Sequence, residues 1–241
     1  MIKDILSKEK KIGLLLDPDK AKGESLSNIL RIAEEYKADL ILAGGSLTFN
    51  TIDNLIDFIK ANCKIPVVLF PGNLLQLSHK ADAILLLSLI SGRNPELLIG
   101  NHVIAAPYLK DVRSKLISVG YILISCGAKT SVEYISQTEA IPSEKPEIVV
   151  ATALAGEMLG LGLIYLEAGS GASNPVPVEI IRAVRENISV PVAVGGGITN
   201  KDQIEEIFEA GADLIILGNG CEKRPELLIE ACRIRDKFRK K

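Results

Sequence analysis

The sequence predicts an α/β protein, a modified (β/α)₈ TIM barrel formed as a single domain over residues 1–241. Three observations carry this reading. Eight short apolar runs recur along the 241 residues, their starts about 29 residues apart on average, close to the length of one βα unit. The runs are continuous rather than alternating, as in strands of a parallel sheet buried on both faces. Nearly every run ends in a Gly, Pro, Asp or Ser cluster, where a strand gives way to a loop. A doubly wound open sheet is the alternative arrangement of the same elements.

The predicted strands are Ile12–Leu16, Asp39–Ala43, Pro66–Phe70, Ala83–Leu87, Tyr121–Ser125, Leu163–Glu167, Pro191–Val194 and Asp213–Leu217. Helical patterns lie between them. Thr51 is placed to cap a helix with Ile52, Leu55, Ile56 and Ile59 on its apolar face. Asn200 is placed to cap another, carrying Ile204, Ile207 and Phe208. Val178–Asn187 and Pro225–Lys240 read similarly, the second with proline in the first turn and a basic end running to Lys241. The 17 residues between the starts of the third and fourth strands are too few for a full helix and its loops, so that unit is expected to be degenerate. The long insertion from Gly127 to Gly162 predicts an irregular stretch and then a helix around Pro146–Leu159.

Composition narrows the function. Lys and Arg total 28 against 30 Asp and Glu, and aromatic residues are 4% with no Trp, so neither a basic nucleic-acid face nor a base-stacking platform is expected. The N-terminal MIKDILSKEKK has no apolar core of a secretory signal. The longest apolar stretch, Ile148–Leu166, contains Glu157 and three glycines and reads as a buried helix entering a strand rather than a membrane span. Cys63, Cys126, Cys221 and Cys232 have no metal-pair spacing and read as reduced thiols. A soluble cytoplasmic protein is expected.

Active sites of parallel barrels assemble from the loops after the strands, and the unusual residues fall there. Strand ends carry Asp17-Pro18-Asp19-Lys20, Gly44-Gly45-Ser46, Pro71-Gly72-Asn73, Glu167-Ala168-Gly169-Ser170-Gly171, Gly195-Gly196-Gly197-Ile198 and Gly218-Asn219-Gly220. The glycine turns before the Asn200 helix and at 218–220 suit a phosphate, held by backbone amides and a helix N-terminus. Asp17 beside the Ser46 hydroxyl suits Mg²⁺, a hard cation often shared with substrate phosphates. Asp19 reads as solvated. His79 and His102 read as structural, and neither Lys20 nor Lys129 is placed as a Schiff-base nucleophile. Strand alternation turns Tyr165 and Glu167 to the barrel mouth, where Glu167 can act as a base.

The motifs LLLDPDK at 14–20, AGGS at 43–46, YLEAGSGA at 165–172, VGGGI at 194–198 and GNG at 218–220 resemble the geranylgeranylglyceryl phosphate synthase family, which includes bacterial heptaprenylglyceryl phosphate synthases. The resemblance covers nearly the whole chain. It implies Mg²⁺-dependent transfer of a prenyl group, with geranylgeranyl diphosphate the expected donor, to the 3-hydroxyl of sn-glycerol 1-phosphate in ether phospholipid biosynthesis. It further implies that Asp17 and Ser46 bind the Mg²⁺. Tyr165, Leu166, Glu167, Ala168, Gly169, Ser170 and Gly171 would hold the glycerol phosphate, with Gly196, Gly197, Gly218 and Asn219 around its phosphate. Some bacterial members carry Lys where this chain has Leu15, which places it in a divergent second branch. Other barrel functions fit the bare glycine turns, namely a sugar-phosphate isomerase or a non-catalytic phosphometabolite binder. The prenyl tail is expected along Leu97–Tyr108 and the third and fourth strands, with Ala105 and Ala106 as wall positions. Its apolar surface also predicts a homo-oligomer.

Overall fold

The computed structural model describes residues 2–127 and 129–240; Met1, Ala128 and Lys241, the last residue of the predicted basic end, lie outside the described residues. The elements in chain order are α1 (Ile2–Ile5), β1 (Lys11–Leu16), α2 (Gly23–Glu35), β2 (Leu40–Ala43), α3 (Ile52–Asn62), β3 (Val67–Leu69) and β4 (Ala83–Leu89). There follow α4 (Asn101–Leu109), β5 (Leu116–Ser125), α5 (Ser131–Ser136), β6 (Ile141–Pro142), α6 (Pro146–Met158), β7 (Leu163–Glu167) and α7 (Val178–Asn187). The chain finishes with β8 (Val192–Gly195), α8 (Lys201–Glu209), β9 (Leu214–Leu217), α9 (Asn219–Lys223) and α10 (Glu226–Arg239).

Eight strands pair in parallel in the order β4-β3-β2-β1-β9-β8-β7-β5, and β4 pairs again with β5, closing the barrel. All eight predicted strands are present. The two-residue β6 is an addition on the outer edge of β5, pairing Ile124 with Ile141. No helix among the described residues is long and apolar enough to cross a membrane.

Continuous apolar strands divide their side chains by alternation into two cores. Leu40, Leu42, Val68, Leu85, Val119, Leu123 and Ile216 fill the barrel interior. Ile41, Leu69, Ile84, Ile122, Leu166, Val194 and Ile215 face the helices, meeting residues such as Ile56, Ile59, Ile204 and Phe208. The interior is shut at the bottom by α1, whose Ile5 joins the inner core. That plug has no sequence signature beyond Ile2, Ile5 and Leu6.

The degenerate third unit is real: between β3 and β4 there is only a single 3₁₀ turn, Leu74–Gln76. Of the two predicted caps, Asn200 accepts from the Gln203 amide at 3.0 Å, while the Thr51 side chain makes no capping bond. The stretch expected to be irregular before α6 contains α5, whose first turn is fixed by the Glu133 carboxylate accepting from the Thr130 amide at 2.8 Å. The four cysteines are unpaired and buried.

Candidate active site

The strand ends open into a polar bowl of about 580 Å³. Its walls include Asp17 and Lys20 after β1, Ser46 after β2, Tyr165, Glu167, Ser170 and Gly171 from β7 and its loop, Gly196 after β8, and Gly218, Asn219 and Glu222 after β9. An apolar groove lined by Leu74, Leu77, Leu85, Leu87, Leu97 and Ala105 runs off one side. Ser46, Phe70, Tyr121, Val132 and Ile135 belong to both walls, so the groove adjoins the bowl.

Glu167 stands at the centre. It is 6% exposed, and burial pushes its carboxyl above the usual carboxylate range. The Tyr165 hydroxyl, the Gly169 amide and the Tyr121 hydroxyl offset part of that rise by favouring the charged form. The Gly169 amide donates to Oε1 at 2.7 Å. Tyr121 and Tyr165 lie side by side in the β5–β7 register and meet edge-on with ring centroids 5.3 Å apart. Phe70 packs against Tyr165 at 5.7 Å. The result is a carboxylate on an aromatic floor, one oxygen fixed by a backbone donor.

Several predicted site residues are placed differently from expectation. The side chains of Leu166 and Ala168 point outward into the helix-facing core, because alternation that turns Tyr165 and Glu167 inward turns their neighbours away. Any part they take in binding is therefore by backbone. Gly169 and Gly197 support the bowl without lining it. At Gly197, with φ of +70°, a Cβ would lie 2.2 Å from the Asn174 carbonyl oxygen, so this glycine seats the loop after β7 against the loop after β8. Gly196 does line the bowl, and a Cβ there would stand 2.4 Å from the Glu167 Oε1. At the start of α8 the cap is reciprocal: Gln203 Oε1 accepts from the Thr199 and Asn200 amides at 2.8 and 3.3 Å, and Asn200 Oδ1 accepts from the Gln203 amide at 3.0 Å.

Asp17 keeps its predicted place. Its Oδ1 accepts from the Asp19 amide at 2.9 Å, which orients the carboxylate, while Oδ2 lies against Gly45, next to Ser46. No cluster of three or more His, Cys, Asp or Glu side chains that would suit a metal occurs among the described residues. A single carboxylate with a hydroxyl suits only a cation that takes its remaining ligands from water and substrate phosphates, which is the habit of Mg²⁺. Asp19 is half-buried and, beyond its expected contact with solvent, has protein partners. It accepts from the Phe49 and Asn50 amides at 2.8 and 2.9 Å and from the Asn50 side chain, pinning the loop after β2. The Phe49 amide, first among these donors, holds its pKa below the ordinary value.

Four residues carry no binding role in the sequence reading. Tyr121 was read only as a strand residue; its facing partner Tyr165 in the register is the signal that places it. Buried Gln76 joins the loops after β2 and β3, accepting from Gly72 N at 3.0 Å and donating to Gly45 O at 2.7 Å. Lys20 and Glu222 face each other in the bowl at 3.9 Å. Of the histidines, His79 is structural, with Nε2 2.8 Å from the Tyr108 carbonyl oxygen. His102 instead lines the groove, its buried Nδ1 without a hydrogen-bond partner among the described residues.

A closed parallel barrel with a buried carboxylate and glycine turns gathered at its C-terminal mouth defines a (β/α)₈-barrel enzyme. Residues 4–234 match the PcrB family, and the chain belongs to it. Over 234 residues it is 48% identical to the geranylgeranylglyceryl phosphate synthase of Spirosoma linguale, covering 97% of this chain and 94% of that one. The enzyme of the same name from Pyrococcus horikoshii is 39% identical over 228 residues, covering 94% and 89%. Among solved structures, (S)-3-O-geranylgeranylglyceryl phosphate synthase from Thermoplasma acidophilum, in complex with its substrate sn-glycerol-1-phosphate, superposes with a TM-score of 0.87 at 31% identity, covering 97% of this chain and 94% of that one.

Proposed function

We propose that this chain joins a prenyl diphosphate to the 3-hydroxyl of sn-glycerol 1-phosphate, releasing diphosphate and making a prenylglyceryl phosphate. The observation that carries the reading is the apolar groove that adjoins the polar bowl at the shared walls Ser46, Phe70 and Tyr121. A sugar-phosphate isomerase has no use for a leucine-lined groove. A hydrocarbon tail does, since each buried CH₂ contributes ~0.8 kcal/mol. The relatives named for geranylgeranylglyceryl phosphate synthesis support the same reaction.

In this reading the glycerol phosphate lies in the bowl, its phosphate towards Ser170, Gly196, Gly218 and Asn219, and its 3-hydroxyl towards Glu167. The carboxylate accepts a hydrogen bond from that hydroxyl and takes its proton as the C–O bond forms. Anchoring both substrates aligns the oxygen with the allylic carbon. Asp17 and Ser46 would hold Mg²⁺, which supplies charge neutralisation for the departing diphosphate. Glu167, Tyr165 and the Gly169 amide fix the acceptor; Phe70 and Tyr121 wall the reacting carbon from water.

Two further properties belong to the same proposal. The exposed Ile99, Val103, Ile104 and Tyr108 recur on α4 and the turn before it, as on a helix face that pairs with another copy of the chain, and the working location is the cytoplasm. Incubation with sn-glycerol 1-phosphate and labelled geranylgeranyl diphosphate tests the central claim. A lipid-extractable phosphorylated product is expected, and its absence with prenyl diphosphates of C15, C20 and C35 would end the reading. Light scattering at micromolar concentration should show more than a monomer.

A further inference from the structure

The bowl has a charge problem that its walls only partly solve. Both proposed substrates are polyanions, yet three carboxylates line the space: Asp17, Glu167 and Glu222. Lys20 is the one Lys or Arg among the described lining residues. Its ammonium donates to Asn219 Oδ1 at 3.0 Å, and stands 3.7 Å from Asp17 and 3.9 Å from Glu222. Asn219 in turn donates through Nδ2 to Ser170 Oγ at 3.2 Å. A line of polar groups therefore crosses the mouth from the β1 loop through the β9 loop to the β7 loop. Burial pushes the Glu222 carboxyl up in pKa, so this acid is poorly solvated where it meets Lys20.

We propose that Lys20 is the cationic ligand of the glycerol phosphate, contacting the phosphate group at the point where Asn219 and Ser170 meet. The inference rests on the functional reading above and adds a residue to it. The ammonium does not line the apolar groove, and although Asp17 stands 3.7 Å away, its direct bond to Asn219 at 3.0 Å directs it to the acceptor's phosphate rather than the diphosphate of the donor. With a side chain 46% exposed, Lys20 has room to swing from its carboxylate neighbours to a ligand. A phosphate dianion brings two charges where each carboxylate neighbour brings one, and its bond to the ammonium is charge-assisted. Glu222 and Asp17 hold the charge meanwhile and keep the long side chain from straying into solvent. The same exposure means that substituting Lys20 leaves the core untouched.

The test separates charge from scaffolding. Lys20→Gln can still donate to Asn219 but carries no charge, whereas Lys20→Arg keeps the charge. Titration calorimetry with sn-glycerol 1-phosphate alone should show affinity weakened about tenfold or more in Lys20→Gln, and within about threefold of wild type in Lys20→Arg, as expected for a hydrogen bond to a charged group. Steady-state kinetics should show a smaller change in the KM for prenyl diphosphate than in the affinity for glycerol phosphate in Lys20→Gln, because Lys20 bonds Asn219 directly and reaches the diphosphate only across Asp17. Wild-type affinity in Lys20→Gln, or a loss that falls on prenyl diphosphate, overturns the role of Lys20 while leaving prenyl transfer standing. A wild-type protein that binds no glycerol phosphate overturns both.

Discussion

Gly195 on β8 and Tyr165 on β7 occupy one space: a Cβ on Gly195 would stand 2.1 Å from the Tyr165 hydroxyl oxygen. The two are two residues apart in register on neighbouring strands, since Tyr165 pairs with Ala193 and Glu167 with Gly195. Absence of a side chain at 195 is thus what allows a tyrosine hydroxyl to lie beside the Glu167 carboxylate at the centre of the barrel. Gly195→Ala should displace that hydroxyl, destabilise the fold by about 1–3 kcal/mol through overpacking, and lower kcat. Thermal melting and steady-state kinetics on the same preparation check both parts; an alanine variant with wild-type kcat would mean that Tyr165 does not position Glu167.

Glu167→Gln removes the proton acceptor but keeps shape and hydrogen bonding. In the proposed reaction it should lower kcat by about 10²-fold or more, the usual contribution of a general base. Wild-type activity should also fall on the acid side with an apparent pKa above the ordinary glutamate value of 4.5, because burial raises this carboxyl. The sign for stability follows. Between 4.5 and the raised folded-state value the native protein holds a proton that the unfolded chain has released, so Glu167 makes stability fall as pH rises through that window. Above the window its contribution is constant. Melting curves across that range should be flatter for Glu167→Gln than for wild type.

The two aspartates of the β1 loop should behave differently. Asp17→Ala is expected to abolish turnover with the fold intact, and excess EDTA to do the same to wild type. Undiminished activity in EDTA would remove the metal from the proposal. Asp19→Ala should act through the loop it pins at Phe49 and Asn50. Its signature is faster proteolysis or hydrogen exchange around residues 47–50, with a smaller effect on rate.

Glycines with similar backbone angles should not respond alike. Gly171 has φ of +80° and nothing within 4 Å of an added Cβ, whereas Gly197 at +70° would strike the Asn174 carbonyl. Gly171→Ala should therefore cost only about 1–2 kcal/mol, the left-handed penalty. Gly197→Val should cost more and shift the loop after β7, so a KM effect there should come with a lowered melting temperature. Equal melting temperatures for the two variants would contradict this account.

The groove predicts a contrast between adjacent alanines on α4. Ala105 is 4% exposed and lines the groove, while Ala106 is exposed and does not. Ala105→Phe should shorten the prenyl diphosphate accepted, read as a shift in preference among C15, C20 and C35 donors. Ala106→Phe should leave the profile unchanged.

By itself the sequence determined the barrel and the loops that line its mouth. Buried parallel strands must be apolar on both faces, so the eight strands stood out as continuous runs, and the turns between strand and helix need Gly, Pro or Asp, so the site's loops were legible as motifs. Alternation within YLEAG was enough to aim Tyr165 and Glu167 inward. What the tertiary structure decided was everything that depends on which loops touch. Asp19 read as solvated because its donors, Phe49 and Asn50, lie on a different loop. At the helix start, Asn200 is capped reciprocally by Gln203, three residues on. Tyr121, Gln76 and Lys20 gained their roles only when strands 5 and 7 paired and when the loops after β1, β2, β3 and β9 converged. Local pattern reports the environment a residue needs; the partners that supply it across 31 residues, as from Gln76 to Gly45, or 199, as from Lys20 to Asn219, exist only once the barrel has closed.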